Sequence, residues 1–570
     1  MRLKKFILVL CSLALLIIST PAQAGNDTSW IPRDPSYTDA TAHGFAFTDK
    51  LALPFQLSLL EANSQVCSST SDPNCASSSF FKFNSILKAC DAADEVNCIT
   101  SLSALDENGI ATPATFKRYT VTNHINAFPA DKAMNIPAGS MPSIWSIPSA
   151  PHASGDLYAV YAGITGSVNP QGAAVGDSNY MQIALIPVVL KDFGKGRQSQ
   201  AAGWNQSIAG IYYDYCANSQ QTDGTKFTDC AHVNGDSCIF PTNDQGMCYA
   251  EEPFGSVQKF NIQLKLAKEP SGWMHGRMVD PSISITPLTA GGVNLSVTAA
   301  ATTVPMVYQN SSWADLSPEM QNQWVSCNSD PQSCGEFWFA RAPGATSAYI
   351  EQSKTLTGNA SINMIRYVNG FGAMPLKIMS AISPLIGNKS QSQSTTWSMR
   401  TLSAKEMGGA NKCFTSTPGL KGIVTTNAPA YSAGPPAFTD GSLNYQVAAP
   451  HFNPDGSTPF KGNYNLVMRS DVARCIYGFS KAPISATISI VSSDGNSDVA
   501  TTVAGEHNGW LSLSANNFQF SSPVIKVKLT QDAPAPIVTV KNSTITCVKG
   551  KLSKKITAIR PLCPAGFIKR

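Results

Sequence analysis

The sequence predicts a mainly β protein with several domains. Charged residues make up 14% of its 570 residues, and it contains 41 Gly and 37 Pro, whereas an average soluble domain is about 25% charged. Short runs rich in Tyr, Val, Ile and Thr recur between clusters of Gly, Pro, Asn and Asp, which indicates strands joined by turns. We therefore expect β-sandwich-like layers with a small N-terminal helical region and a mixed α/β insertion.

The N-terminal segment predicts a secretory signal peptide. Residues 1–24 begin with three basic side chains, continue with an apolar run over 6–18 and end in Ala22-Gln23-Ala24. This order of basic, apolar and small residues is typical of a signal that is removed after export. The apolar run is shorter than the roughly 20 residues that cross a bilayer. We therefore expect a secreted or extracellular chain, associated in part with the cell wall or surface.

The rest of the chain points to neither a membrane span nor a nucleic-acid partner. No later run reaches about 18 apolar residues, so no transmembrane segment is predicted after signal cleavage. The body also lacks the clusters of Lys and Arg that nucleic-acid-binding domains carry. The oligomeric state stays open.

The cysteines predict a set of disulfides. Of the 15 cysteines, Cys11 lies in the predicted signal, which leaves an even number. An even count in an exported chain indicates disulfide bonds. Neighbours along the sequence give seven expected pairs: Cys67 with Cys75, Cys90 with Cys98, Cys216 with Cys230, Cys238 with Cys248, Cys327 with Cys334, Cys413 with Cys475, and Cys547 with Cys563. Other pairings within 67–98 and within 216–248 remain open, because sequence does not determine connectivity.

Residues 25–115 are predicted to form an N-terminal cap of helix and coil. The segment opens with polar sequence interrupted by proline, and apolar residues at Phe83, Ile86, Leu87 and Cys90 then follow helical spacing. Residues 116–305 change to strand-like runs and predict a β domain. Within them QKFNIQLKLA alternates apolar and polar residues, as a strand with one wet face does.

Residues 306–425 predict a mixed helical insertion or subdomain. The run SPEMQNQWVSC has the serine and proline of a helix start, and SINMIRYVNGFGAMPLKIMSAISPLI is apolar enough for one or two buried helices. Residues 426–533 return to strand patterns, in which we include RCIYGF, with turns about every 10 residues. That spacing predicts a β-sandwich domain.

Residues 534–570 are predicted to be a linker followed by a basic end module with two cysteines. Residues 541–570 contain eight Lys and Arg and no acidic residue. Removing these eight and the three of the signal from the total of 41 leaves 30 basic against 37 acidic side chains, a net charge of −7 for residues 25–540. A basic end on an acidic body is attracted to an anionic envelope polymer or surface. A solvated end that is held by its disulfide and binds nothing explains the same composition equally well. The residues expected to make this contact are Lys549, Lys551, Lys554 and Lys555.

Several C-terminal motifs carry a resemblance. GSLNYQVAAPHFNPDG (441–456), VMRSDVARCIYGF (467–479), NGWLSL (508–513) and TITCVKGKLSKK with CPAGF (544–567) resemble the C-terminal region of a group of uncharacterised exported bacterial proteins. WMHGRMVDPSISI (273–285) is similar in kind. The resemblance implies an exported or surface location and a basic two-cysteine end module. It implies no activity, ligand or catalytic residue.

Candidate nucleophiles rest on weak patterns. Ser178 lies in a Gly-Asp-Ser sequence, and Asp229 and His232 form an Asp-x-x-His, a set that resembles secreted esterases of the GDS type. The Asp-x-x-His contains a predicted disulfide cysteine, and a second Gly-Asp-Ser occurs at 235–237, so two turns explain the pattern as well. Ser85 begins a Ser-x-x-Lys on the predicted helix, as penicillin-recognising enzymes require, but no Lys-Thr-Gly accompanies it.

Metal-ligand patterns are equally weak. A zinc site could use Cys216, Cys230, His232, Cys238 and Cys248, but the close Cys-x₂₋₄-Cys spacing is absent. Asp494, Asn496 and Asp498 place oxygens at alternate positions, as a calcium loop does, without the glycine and glutamate that such a loop needs. We therefore assign no catalytic, cofactor-binding or metal-ligating residue and expect no cofactor.

Three function classes follow from these observations. The first is an exported surface or envelope protein with a structural or interaction role and no identifiable catalytic site. The second is a secreted hydrolase or glycan-active enzyme. The third is a carbohydrate- or ligand-binding module. A cleft that gathers carboxylates or a Ser–His pair would favour the second, and an exposed row of aromatic side chains would favour the third.

Overall fold

The computed structural model describes most of the chain from residue 57 onward and one earlier strand. The described residues are 42–47, 57–122, 127–175, 180–192, 215–218, 228–231, 238–242, 247–255, 258–289, 291–312, 317–318, 337–339, 364–368, 370–404, 406–415, 418–480, 484–491, 497–499, 501–520, 524–531 and 542–570. The predicted signal peptide and residues 534–541 of the predicted linker and end module lie outside them.

Strands dominate the structure, which confirms the mainly β fold class. The strands of the first half are β1 (Ala42–Phe47), β2 (Ser58–Leu60), β3 (Phe81–Ile86), β4 (Cys98–Leu105), β5 (Ala111–Pro113), β6 (Thr115–Tyr119), β7 (Ser143–Ser146), β8 (Leu157–Val168), β9 (Tyr180–Asp192), β10 (Tyr215–Asn218), β11 (Thr228–Ala231), β12 (Cys238–Pro241), β13 (Met247–Glu251), β14 (Lys259–Leu266), β15 (Gly272–Arg277), β16 (Val279–Pro287), β17 (Val293–Ala300) and β18 (Thr302–Ser312).

The second half adds further strands and short helices. Its strands are β19 (Phe337–Phe339), β20 (Met364–Val368), β21 (Ser392–Thr401), β22 (Leu420–Thr426), β23 (Ala430–Tyr431), β24 (Ala437–Thr439), β25 (Ser442–Ala448), β26 (Lys461–Arg469), β27 (Ile484–Val491), β28 (Ser497–Val499), β29 (Thr501–His507), β30 (Trp510–Gln519), β31 (Val524–Gln531), β32 (Ser543–Lys549), β33 (Leu552–Ala558) and β34 (Ile568–Lys569). The helices whose bounds the structure describes there are α1 (Ala373–Ile382), α2 (Lys412–Thr415) and α3 (Ser470–Tyr477).

A long central sheet runs through most of the molecule. Successive hydrogen-bonded neighbours are β3, β8, β9, β21, β15, β22, β26, β30 and β29. All of these pairs are antiparallel except β15 with β22, which is parallel. Strands β1, β19 and β20 join this sheet through β18, which pairs with β21.

A second sheet covers the first part of the central sheet. Its strand order is β16, β17, β14, β4 and β5. The first hydrophobic core lies between the two sheets, where Phe260, Ile262 and Leu264 of β14 meet Ile183 and Leu185 of β9. The alternation predicted for QKFNIQLKLA is confirmed, since every second residue of β14 from Phe260 onward is buried.

A third sheet covers the C-terminal part of the central sheet. It contains β23, β25, β31, β27 and β28, with β24 beside β25. The second hydrophobic core contains Tyr445 of β25 and Val527 of β31 opposite Leu466 of β26 and Leu513 of β30. This two-layer packing is the sandwich expected from the strand pattern of 426–533.

The central strands β22 and β26 are buried on both faces. Ile423 and Val467 belong to the first core, whereas Val424 and Leu466 belong to the second. Consecutive residues of a strand point to opposite faces, so these two strands form the middle of a three-layer arrangement. The predicted boundaries near 305 and 425 therefore do not coincide with boundaries between sheets.

The prediction that residues 306–425 form an insertion or subdomain is corrected in the same way. Strands β21 and β22 lie within this range and are internal members of the central sheet. The apolar run at 361–386 forms strand β20 and then helix α1. Pro375 lies in the first turn of that helix, where its missing N–H removes no helical hydrogen bond. Most of the other predicted helix, from residue 319, lies outside the described residues.

The prediction that the N-terminal cap is helical is wrong for residues 81–105. This part forms strands β3 and β4, and no helix occurs between residues 57 and 122. Phe81 and Phe83 are buried while Lys82 and Asn84 are half-buried, so the side chains follow the strand period of two. Pairing of β3 with β2 and β8 supplies backbone partners that no local pattern reveals.

The prediction that RCIYGF forms a strand is also wrong. These residues complete helix α3 and its C-cap, where Gly478 adopts the left-handed conformation with φ 65°. A glycine in this position commonly ends a helix because it has no Cβ. Val472, Ala473 and Ile476 pack the helix against the second core.

Candidate functional site

The basic end module forms a small sheet of its own. Residues 542–570 contain β32 and β33 as a hairpin and β34 on the other edge of β32. Gly550, with φ 58°, makes the tight turn of the hairpin. Its interior contains Cys547, which is fully buried and bonded to Cys563 with a Cα–Cα distance of 5.6 Å. A disulfide thus replaces the apolar core that a module of this size is too small to build.

The four lysines predicted to contact an anionic partner are all exposed in this module. Lys549 and Lys551 flank the hairpin turn, and Lys554 and Lys555 follow on β33. Because adjacent strand residues point to opposite faces, Lys554 and Lys555 give both faces of the hairpin a positive charge. The ammonium of Lys554 lies 5.6 Å from the ring centroid of Phe567, a cation–π distance that orients this lysine.

The disulfides of the described residues match four of the predicted pairs. Besides the bond of the end module, these are Cys67–Cys75, Cys90–Cys98 and Cys413–Cys475. Each joins the neighbouring cysteines that the sequence spacing paired.

The other three predicted pairs are described only in part or not at all. Cys248 is disulfide-bonded, and Cys216 lies directly opposite Cys230 in the β10–β11 hairpin. Cys327 and Cys334 both lie outside the described residues, so the bond predicted between them stays a prediction. The bonded state of Cys248 removes one ligand from the zinc site considered above.

Of the other candidate residues, Ser85 is placed most clearly. It lies on strand β3 rather than on a helix, is fully buried and donates from Oγ to the carbonyl oxygen of Pro137 at 3.1 Å. Lys88 pairs instead with Asp91 at 2.6 Å and Glu95 at 2.9 Å. Ser85 is therefore a structural hydroxyl, and the Ser-x-x-Lys interpretation is wrong.

The remaining sequence candidates fall outside what the structure describes. Ser178, His232, Asp494 and Asn496 are not among the described residues, and the side chains of the candidates on β10, β11 and β28 are not described. In the described part of the chain no group of three or more His, Cys, Asp and Glu side chains could hold a metal ion.

The structure reveals a buried polar cluster that sequence analysis missed. This His275 cluster consists of His275, Arg277, Arg400, Glu406 and Tyr431, all of which are buried or nearly so. His275 and Arg277 lie on the same face of β15, and Arg400 lies opposite His275 on β21. The only signal in the sequence was the pair of polar residues in the otherwise apolar WMHGRM.

Both arginines of this cluster donate hydrogen bonds to buried oxygen atoms. The Nη1 of Arg277 donates to the carbonyl oxygens of Thr426 at 2.8 Å and Ala428 at 2.6 Å. Arg400 makes two hydrogen bonds to the carboxylate of Glu406, at 2.8 and 2.6 Å. Burial opposes ionisation of Glu406, but Arg400 and Ser403 hold the pKa of this carboxyl below its usual range. The pair is therefore ionised and bidentate, which is the geometry in which Arg and carboxylate bind most strongly.

His275 is neutral in this environment. Its ring stacks on Tyr431 with centroids 4.0 Å apart, and its Nε2 has no hydrogen-bond partner in the described part of the structure. Burial lowers the pKa of His275 well below its ordinary value, and the charges of Arg277 and Arg400 lower it further. A histidine between two cations lacks the carboxylate that would orient it as a general base. The cluster therefore joins β15, β21 and residues 426–431 rather than forming a catalytic constellation.

Comparisons with known proteins add no assignment. No family model, curated protein or solved structure matches this chain. Among the described residues no helix is long and apolar enough to span a membrane. The basic end module is thus the site for which sequence and structure provide a chemical argument.

Proposed function

We propose that this chain is an exported β protein of the cell surface or envelope with a structural or interaction role. Its basic end module, residues 542–570, would attach it to an anionic polymer or surface. The disulfides support the location, because such bonds persist in oxidising compartments outside the cytosol. The signal peptide predicted at residues 1–24 and the resemblance of the C-terminal motifs support it from the sequence alone.

The proposal of attachment rests on one observation, which is that the four lysines are exposed in a segment without acidic residues. Fixed on a disulfide-bonded hairpin, these charges lose less freedom on binding than they would on a disordered tail. Each basic residue near a negatively charged membrane contributes about 1 kcal/mol of attraction, which salt weakens. The acidic body repels the same surface, so attachment depends on the end module.

The test compares where the protein is found in producing cells. Deleting residues 541–570 should move it from the cell fraction to the medium, and high salt should release the intact protein in the same way. Replacing Lys549, Lys551, Lys554 and Lys555 together by Gln should reproduce the deletion while keeping the hairpin.

The matched control removes lysines from the body. Lys526 and Lys528 are exposed on β31, and their replacement by Gln should leave the distribution between cells and medium unchanged. If retention survives both the deletion and high salt, the end module does not attach the protein.

A further inference from the structure

Large exposed apolar side chains are concentrated in the basic end module. Nine such side chains occur in the described part of the chain, and four of them belong to the module. They are Leu552, Ile559, Leu562 and Ile568, with exposed fractions of 67, 60, 84 and 74%. Exposed apolar residues scattered singly over a surface are normal, whereas four in one small module call for an explanation.

These apolar residues are interspersed with the basic ones along the chain. Leu552 follows Lys551 and lies directly opposite Lys549 in the hairpin register. Arg560 stands between Ile559 and Leu562, and Ile568 precedes two further basic residues. Each exposed apolar side chain is therefore within one or two positions of a positive charge.

The internal structure of the module explains why these side chains remain outside. Cys547, which is bonded to Cys563, is the one fully buried residue of the module, and the ring of Phe567 is covered by the Lys554 side chain. The strands are too few to provide a covering layer. Most of the apolar surface of these residues therefore stays in water, which is an unfavourable environment for it.

We propose that the end module binds the surface of an anionic lipid bilayer, with its apolar side chains in the interface and its lysines at the headgroups. This inference rests on the proposed function and specifies the surface. A soluble polyanion would neutralise the lysines but leave the leucines and isoleucines in water. A bilayer interface takes both kinds of side chain, and their effects add. Association of two modules is disfavoured, because each carries seven basic and no acidic side chains.

The experiment measures flotation of the chain from residue 25 onward with lipid vesicles. One set contains equal parts of phosphatidylglycerol and phosphatidylcholine, and the other contains phosphatidylcholine alone. We expect binding to the anionic vesicles, weakening as salt is added, and at least about tenfold weaker binding to the neutral ones. The double variant L552S/L562S should bind anionic vesicles about tenfold more weakly or worse, because two apolar side chains no longer enter the interface.

Two controls keep the result interpretable. Ile110, which is 65% exposed outside the module, provides the matched variant I110S, which should bind as the unmodified chain does. Mass analysis of unreduced peptides should find the Cys547–Cys563 bond intact in L552S/L562S, so that misfolding of the module is ruled out. Every variant is prepared without the predicted signal, residues 1–24, because its apolar run would itself bind vesicles of either composition.

The possible outcomes separate this inference from the proposed function. Salt-sensitive vesicle binding that L552S/L562S does not weaken would overturn apolar insertion and leave charge-based attachment standing. Binding to polyphosphate-coated beads but not to anionic vesicles would overturn the lipid surface in favour of a polymer. Self-association that L552S/L562S abolishes would overturn the lipid inference. Binding to neither the beads nor the anionic vesicles would overturn the lipid inference and would also contradict attachment by the end module.

Discussion

At the scale of single residues, the His275 cluster shows how burial changes a titratable group. His275 is neutral because water is excluded and two arginines lie nearby. In the unfolded chain the same histidine takes up a proton near its ordinary pKa of about 6.5. Since the folded state binds fewer protons, this histidine contributes stability above that pH and loses the contribution as the pH falls.

We therefore predict that acid destabilises the protein partly through His275. Below about pH 6.5 this histidine should lower the free energy of unfolding by at most about 1.4 kcal/mol per pH unit. The variant H275F keeps a ring that can stack on Tyr431 but cannot titrate, so its stability should fall less steeply. Urea unfolding between about pH 5 and pH 7.5 measures the slope. H507F, which removes an exposed histidine on β29, is the control, and equal slopes for H275F and the unmodified chain would contradict the prediction.

A second residue-scale prediction concerns the buried pair of Arg400 and Glu406. The variant E406Q leaves the Arg400 guanidinium buried without its carboxylate, and we expect a loss of about 3–5 kcal/mol. Asp91, whose side chain is 73% exposed beside Lys88, is the comparison, and D91N should cost less than about 1 kcal/mol. Denaturant unfolding distinguishes the two, and similar losses would mean that the Arg400 pair is solvated rather than buried.

At the scale of elements, the Cys413–Cys475 bond joins two short helices on the second core. Cys413 lies in α2 and Cys475 in α3, 62 residues apart, whereas Cys67 and Cys75 are only 8 residues apart. Closing a longer loop removes more entropy from the unfolded chain. The bond between the helices should therefore contribute more to stability than the local ones.

The predicted cost of losing each bond follows from these loop lengths. We expect C413A/C475A to lower the free energy of unfolding by about 4 kcal/mol and C67A/C75A by about 2.5 kcal/mol. Unfolding of both double variants in denaturant tests the order. A smaller loss for C413A/C475A than for C67A/C75A would show that strain or residual structure, rather than loop length, determines the effect.

The elements also show where sequence patterns mislead. Residues 81–86 and 470–477 each contain apolar residues whose spacing, within a short window, fits both the strand period of two and the helical period of 3.6. Residues 81–86 form a strand because they pair with β2 and β8. Residues 470–477 form a helix because Gly478 caps it and its apolar side packs on the second core. In the first of these short segments, partners distant in sequence outweigh local propensity.

At the scale of the whole molecule, the two cores share strands β22 and β26. We expect these layers to unfold together instead of as separate units for 116–305 and 426–533. The variant I423A, which opens a cavity on the first core, should lose about 2–5 kcal/mol. Hydrogen exchange should show this loss in strands of both cores, including β31.

The control for this prediction is an exposed isoleucine. I110A should leave the exchange of both cores unchanged, because Ile110 is 65% exposed. Two resolved unfolding transitions, with I423A affecting only the earlier strands, would show that the shared sheet does not couple the cores.

The sequence by itself determined the fold class, four cysteine pairs that the structure contains, and the basic character of the end module. Each of these depends on composition or on residues close together in the chain. Only the tertiary structure decided that β21 and β22 are internal strands, that His275 meets two arginines, and that four apolar side chains remain exposed beside the lysines. These features depend on which distant segments pair and which surfaces they cover, and local patterns do not encode that choice.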